Sequence, residues 1–169
     1  ALNGVSKVFY APGWRIGYMA LHDPLERLVH VRDGNERLLR SRLCASTPAQ
    51  LGYLAGLEGD RGWMEIYAKK VLKQRDHCLN RISTIDGLEV ERPGGAFYMF
   101  IRLTDEQWAQ DDKAFVLNLL HEEHVLLVHG SGFSPDLGQG HVRLVFLADI
   151  EVLDEVFDRI DRFLQKHRQ

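Results

Sequence analysis

The stretch from Gly62 to Ile85 constrains the fold most strongly. Its apolar residues Trp63, Ile66, Tyr67, Val71, Leu72, Cys78, Leu79 and Ile82 recur largely at intervals of three and four. That spacing gathers side chains on one face of a helix, and a helix so long has to bury that face against a second layer. The turn pair Asp86-Gly87 ends it, and the next residues supply the layer. Leu88-Glu89-Val90 alternates, while Ala96–Ile101, Val125–Val128 and Val142–Leu147 are apolar runs that read as strands. Asp111-Asp112 caps a helix from Lys113 to about His121. Asp149–His167 reads as a final helix with a stripe at Val152, Val156, Ile160, Phe163 and Leu164. Strands and helices in alternation after residue 86, behind a helical lead-in, predict an α/β or α+β core.

The first 60 residues are less regular. Two apolar stretches, Lys7–Tyr10 and Ile16–Leu21, flank Ala11-Pro12-Gly13, and the second reads as a buried strand. Asp23-Pro24 reads as a helix start, with Leu25–Leu43 helical and a break possible at Asp33-Gly34-Asn35. Arg27, Arg32, Arg37, Arg40 and Arg42 would form its solvated face, or a subunit contact. Ser46-Thr47-Pro48 opens another helix.

Composition sets outer limits. Of 169 residues, 21 are Lys or Arg and 24 Asp or Glu, a net charge of −3. A general nucleic-acid binder carries a clustered basic excess instead. Hydrophobic residues make up 45% and charged residues 27%, a globular mix. No apolar run approaches the roughly 20 residues of a membrane helix. Cys44 and Cys78 have neither a disulfide framework nor metal-ligand spacing, so they read as core or half-buried thiols in a reducing, cytoplasmic compartment.

Two segments carry chemistry. Gly4-Val5-Ser6-Lys7 is followed by Pro12-Gly13-Trp14-Arg15-Ile16-Gly17. A lysine that attacks a carbonyl must be partly deprotonated, which a neighbouring cation promotes. Arg15, eight residues on and past a turn, can fold back beside Lys7 and offer its fork to a phosphate, with Ser6 adding a hydroxyl. On spacing alone a lysine and an arginine eight apart mean little, and the pair reads as solvated surface. The second segment, Val128-His129-Gly130-Ser131-Gly132-Phe133-Ser134-Pro135 through Gly138-Gln139-Gly140 to Arg143-Leu144, places an arginine on a strand after a glycine-rich loop. It reads as a bidentate carboxylate clamp or as a plain hairpin. It matches neither a P-loop nor a dinucleotide fingerprint.

Together the two segments resemble motifs of the class I/II pyridoxal-phosphate aminotransferases of fold type I. Arg92-Pro93-Gly94-Gly95-Ala96-Phe97-Tyr98 is similar to a strand entry in the small domain of the same enzymes. Leu43-Cys44-Ala45-Ser46-Thr47-Pro48-Ala49-Gln50 and His129-Gly130-Ser131-Gly132-Phe133 most resemble the alanine-aminotransferase subgroup. The resemblance implies that Lys7 forms the Schiff base with pyridoxal 5'-phosphate and moves the substrate proton. It implies that Arg15, assisted by Ser6, binds the cofactor phosphate, and that Arg143 holds the α-carboxylate of an amino acid or 2-oxo acid. The implied activity is transamination between alanine and 2-oxoglutarate by a homodimeric parent, with no nucleic acid, membrane or metal involved. Tyr10, His129, Ser134 and Gly4 depart from the family pattern, and Gly4 stands where many members have a phosphate-contacting serine.

Family members run to more than twice this length. The chain is therefore expected to be a C-terminal portion: residues 1–60 the end of the large cofactor-binding domain, residues 61–169 the small domain. The aspartate that pairs with the pyridine nitrogen, the stacking aromatic ring and the phosphate loop would precede Ala1. The isolated chain is expected to lack useful activity. Two other functions stay open: a different fold-type-I lyase or aminotransferase, and a non-catalytic pyridoxal-phosphate or amino-acid sensor of a transcription regulator. His121-Glu122-Glu123-His124 has its histidines three apart, not four, and reads as a charged helix end rather than a zinc site.

Overall fold

The computed structural model describes residues 1–168. The chain forms two compact units, Ala1–Gly62 and Trp63–Gln169.

In the first unit, β1 (Leu2–Gly4) pairs antiparallel with β2 (Gly17–Met19), Gly4 opposite Gly17. Between them lie the one-turn helix α1 (Val5–Val8) and a 3-10 turn over Pro12–Trp14. Helices α2 (Val29–Arg42) and α3 (Thr47–Glu58) follow. The unit buries little: Val5 and Tyr53 are its buried apolar residues. The Tyr53 ring meets Phe9 at 5.6 Å and Tyr18 at 6.1 Å. The expected buried strand at Ile16–Leu21 is instead three residues long and exposed, with Tyr18 at 47% and Met19 at 42%. A two-stranded ribbon has no second layer to cover it. Asp23 does not cap α2. Its carboxylate accepts from the backbone N–H groups of Arg27 and Leu28, at 2.8 and 2.6 Å, and so caps the turn before that helix. Gly34 does not break α2, and no residue of α2 is buried.

The second unit is a two-layer fold. Its four-stranded sheet has the order β3-β4-β6-β5 and is antiparallel throughout. The strands are β3 (Leu88–Val90), β4 (Tyr98–Leu103), β5 (Val128–His129) and β6 (His141–Val145). Met99, Ile101 and Leu103 of β4 and Val142 and Leu144 of β6 alternate onto the inner face. They join Cys78 and Ile82 of α4 (Gly62–Ile82), Phe115, Val116 and Leu119 of α6 (Asp112–Glu123), and the buried face of α7 (Ile150–His167). A short helix that the sequence pattern misses, α5 (Glu106–Gln110), starts where the Asp105 carboxylate accepts from the Gln107 N–H. It delivers Trp108 against Phe115 and Phe163, at 5.7 and 5.4 Å.

Several expected boundaries move. Helix α4 ends at Ile82, and Trp63, Ile66 and Leu72 of the expected buried face are exposed. Of the expected strand Val125–Val128 only Val128 pairs, with His129 after it, although Val125 and Leu127 are buried. The buried stripe of α7 is Leu153, Phe157, Ile160, Phe163 and Leu164, one residue out of phase with the expected start, so Val152 is 54% exposed. Polar bonds also join α4 to α7 and to the chain before it. Gln74 is buried, and its Nε2 donates to the carbonyls of Leu147 and Ala148 at 3.1 and 2.6 Å. Among the described residues, no helix is long and apolar enough to cross a membrane.

Candidate active site

The β1–β2 register makes residues 5–16 the closed end of a hairpin, sealed where the Val5 N–H donates to the Ile16 carbonyl at 3.2 Å. A Cβ on Gly17 would lie 2.5 Å from the Asn3 oxygen and 3.2 Å from the Gly4 Cα, so only glycine lets the ribbon close this tightly. Helix α1 is pinned by its one buried residue, Val5, which leaves Ser6 half-buried and Lys7 exposed. Across the hairpin end, Arg15 adopts left-handed backbone (φ 53°, ψ 41°) directly after the 3-10 turn. Such a conformation costs a non-glycine residue about 1 kcal/mol, which the closure around it sustains. Its Nη1 donates to the Pro12 carbonyl at 2.7 Å, tethering the guanidinium to the turn. A cavity of about 220 Å³ opens beside it, lined by Arg15, Ile16, Gly17, Leu39, Arg42 and neighbouring residues.

Ser6, Lys7 and Arg15 all lie on this closed end, between residues 5 and 16. A hydroxyl, an amine and a guanidinium are the donors that a phosphate ester bearing an aldehyde requires: hydrogen bonds for the ester oxygens and a nucleophile for the carbonyl. The donor set fits pyridoxal phosphate.

Arg143 belongs to the second unit. It sits at the centre of β6, paired to Phe100 of β4 on one side and to Val128 of β5 on the other. Because Val142 and Leu144 face the core, Arg143 points to the outer face, with Tyr98, Phe100 and His141. Its guanidinium carbon lies over the Tyr98 ring at 4.8 Å and over the Phe133 ring at 4.7 Å. Phe133 meets Phe100 edge-on at 6.1 Å, and Phe100 stacks on His141 at 4.9 Å with an interplanar angle of 9°. Ring contacts use the guanidinium face, whereas a carboxylate binds in its plane, so the two do not compete. The Arg143 Nε is buried and has no hydrogen-bond partner among the described residues. A buried donor without a partner is uncommon in a folded chain and marks Arg143 as a candidate binding residue.

Tyr98 and Phe133 lie inside the motifs quoted above, yet nothing in those motifs signals their contact with Arg143. The diagonal Tyr98–Arg143 proximity follows only from the β4–β6 register, and that of Phe133 from the path of the loop.

The histidines at the end of α6 and the two cysteines differ in setting. His121 is exposed and His124 closes α6 in left-handed backbone, φ 58°. Among the described residues, no group of three or more His, Cys, Asp and Glu is placed to hold a metal. Cys44 is exposed, contrary to the expectation of a core or half-buried thiol, because it follows the end of the unburied helix α2. Cys78 is fully buried, and burial, with Asp154 nearby, pushes its thiol up to about 12.

Comparison with known proteins gives a consistent picture. A family model described as aminotransferase class I and II matches residues 1–160. The glutamate-pyruvate aminotransferase AlaA of Haemophilus influenzae is 36% identical over 174 residues, covering 99% of this chain and 42% of that protein. An alanine aminotransferase of Mycobacterium bovis is 34% identical, covering 99% of this chain and 39% of its own length. The solved alanine aminotransferase of Pyrococcus furiosus superimposes with a TM-score of 0.92 at 46% identity, over 98% of this chain and 42% of that one. The chain spans about two fifths of the length of these relatives. With motifs, fold and family match in agreement, the chain belongs to the class I and II aminotransferases.

Proposed function

We propose that this chain supplies the lysine, the phosphate-binding arginine and the carboxylate-binding arginine of a pyridoxal-phosphate-dependent enzyme that transfers an amino group between alanine and 2-oxoglutarate. The observation that carries the reading is the Arg143 guanidinium on the outer sheet face, lying over two rings with a buried donor unpaired. The printed names of the relatives, alanine aminotransferase and glutamate-pyruvate aminotransferase, support the substrate pair. In this reading residues 1–60 belong to the large cofactor-binding domain and 61–169 to the small domain of a cytoplasmic homodimer.

The residue roles follow from their chemistry. Arg15 and Ser6 donate to the phosphate, the guanidinium in fork geometry and the hydroxyl as a single donor. Bound pyridoxal phosphate supplies an electron sink for the pair left at the substrate Cα. Lys7 Nζ takes the proton from that Cα and returns one, a general acid–base role. Arg143 holds the α-carboxylate in two parallel bonds and so fixes the orientation of the bound amino or 2-oxo acid.

Pyridoxal phosphate followed by borohydride should leave a reduced adduct on Lys7 ahead of every other lysine, mapped by peptide mass spectrometry. Labelling spread evenly over the lysines, or unchanged in Lys7→Ala, would sink the assignment of Lys7. A coupled alanine–2-oxoglutarate assay on the 169-residue chain should show no useful turnover. Rates comparable with a full-length aminotransferase would overturn the view that this chain needs further residues.

A further inference from the structure

Phe133 is 54% exposed, so burial does not hold its ring over Arg143. Beyond its edge contact with Phe100, its direction comes from the backbone, and that backbone hangs from one tied turn. The Phe133 N–H donates to the Gly130 carbonyl at 2.8 Å, closing the 3-10 turn Gly130–Gly132. The middle residue of the turn, Ser131, is gripped from 19 positions upstream. Its backbone N–H donates to Asp112 Oδ2, and its hydroxyl donates to Asp112 Oδ1, each at 2.7 Å.

Asp112 is not needed as a helix cap. That role belongs to Asp111, whose carboxylate accepts from the Ala114 N–H at 2.8 Å. Asp112 turns the other way, at 2% exposure, and both of its oxygens serve a single residue. A carboxylate so buried is costly unless hydrogen-bonded, so the grip on Ser131 is strongly favoured over any looser arrangement. With the hydroxyl proton given to Asp112, the Ser131 Oγ accepts from His129 Nδ1–H, 3.0 Å away. The His129 ring in turn lies against Gly132, where an added Cβ would stand 2.8 Å from Cε1. The turn is fixed from both sides, and Phe133 is the next residue.

We infer that Asp112, acting through Ser131, positions Phe133 over the Arg143 guanidinium and so sets the direction in which Arg143 offers its N–H fork to a carboxylate. Asp112 and Ser131 are positioning residues, and the inference rests on reading Arg143 as a carboxylate receptor.

The test is NMR of the 169-residue chain, reading the Arg143 Nε–Hε resonance with pyruvate as the probe carboxylate. Phe133→Leu should remove the ring-current contribution and define the unstacked position. Ser131→Ala and Asp112→Asn should each move the resonance at least part of the way there, while Ser131→Thr, which keeps both donors, stays with the wild type. Core methyl resonances should not move. Loss of the stacking contact should weaken pyruvate about two- to fivefold. If Ser131→Ala does not fold, Asp112→Asn supplies the same comparison at nearly unchanged volume. A wild-type Arg143 resonance in the folded variants, with Phe133→Leu shifted, would overturn the inference. If pyruvate leaves Arg143 unmoved in the wild type while the variants shift as expected, the carboxylate reading fails and the positioning stands.

Discussion

Arg81 of α4 donates to Asp154 of α7 at 2.6 Å, and the two helices are joined through that carboxylate. His77 Nε2 lies 2.8 Å from the same oxygen, and Arg81 reaches Asp158 as well. The hydrogen bonds from Arg81 and then His77 hold the Asp154 carboxyl below the usual range. Bonds from Lys166 and His167 do the same for Glu122, and from Arg162 for Glu123. A carboxyl whose folded pKa is lowered stabilises the fold fully above its unfolded pKa, about 4. That contribution is lost as pH falls through the lowered value. Asp154→Asn should therefore lower Tm at pH 7, and the variant and wild-type curves should converge as pH drops below about 4. Parallel curves over the whole range would contradict this.

Arg143→Lys keeps the charge but loses the planar fork. Titration with pyruvate should show roughly 10-fold weaker binding or worse, the scale of one charged hydrogen bond. Equal affinity would mean that the guanidinium is not the receptor.

Phe157 is fully buried at the heart of the α7 stripe. Phe157→Ala should cost about 3–5 kcal/mol, read from urea unfolding of the second unit. Such a loss is a large share of the stability of an ordinary domain. A loss under about 1 kcal/mol would show that the site collapses around the cavity.

The two thiols should separate cleanly. Brief treatment of the native chain with iodoacetamide should add one group, at Cys44, and the second should appear only in denaturant. Cys78 is closed to the reagent and its thiol is held protonated by burial.

Limited proteolysis should leave a stable fragment beginning near Trp63, because the first unit has few buried residues and none on α2. A resistant core containing residues 1–20 would argue against that.

Much of this was legible beforehand because local pattern and local structure coincide. The α4 period, the Asp111 cap and the order of the three motifs are properties of neighbouring residues. The exposed strand at Gly17–Met19 was misread because an apolar run shows what could be buried, not whether a covering layer exists. The start of the α7 stripe was misplaced because Val152 and Leu153 are both apolar, and only the packed partners choose between them. The Asp112–Ser131 grip was invisible for another reason. Asp112 reads as part of a cap, and its partner is set by tertiary approach alone.

The alternation in β6 limits how the strand can diverge. Sliding β6 by one residue would turn Arg143 into the core and expel Val142 and Leu144, so misregistered chains are removed by instability before they are tested for recognition. Phe100 and Phe133, on the outer face and loop, carry no such duty to the interior. Exchange at those two positions therefore leaves the inheritance of the fold secure.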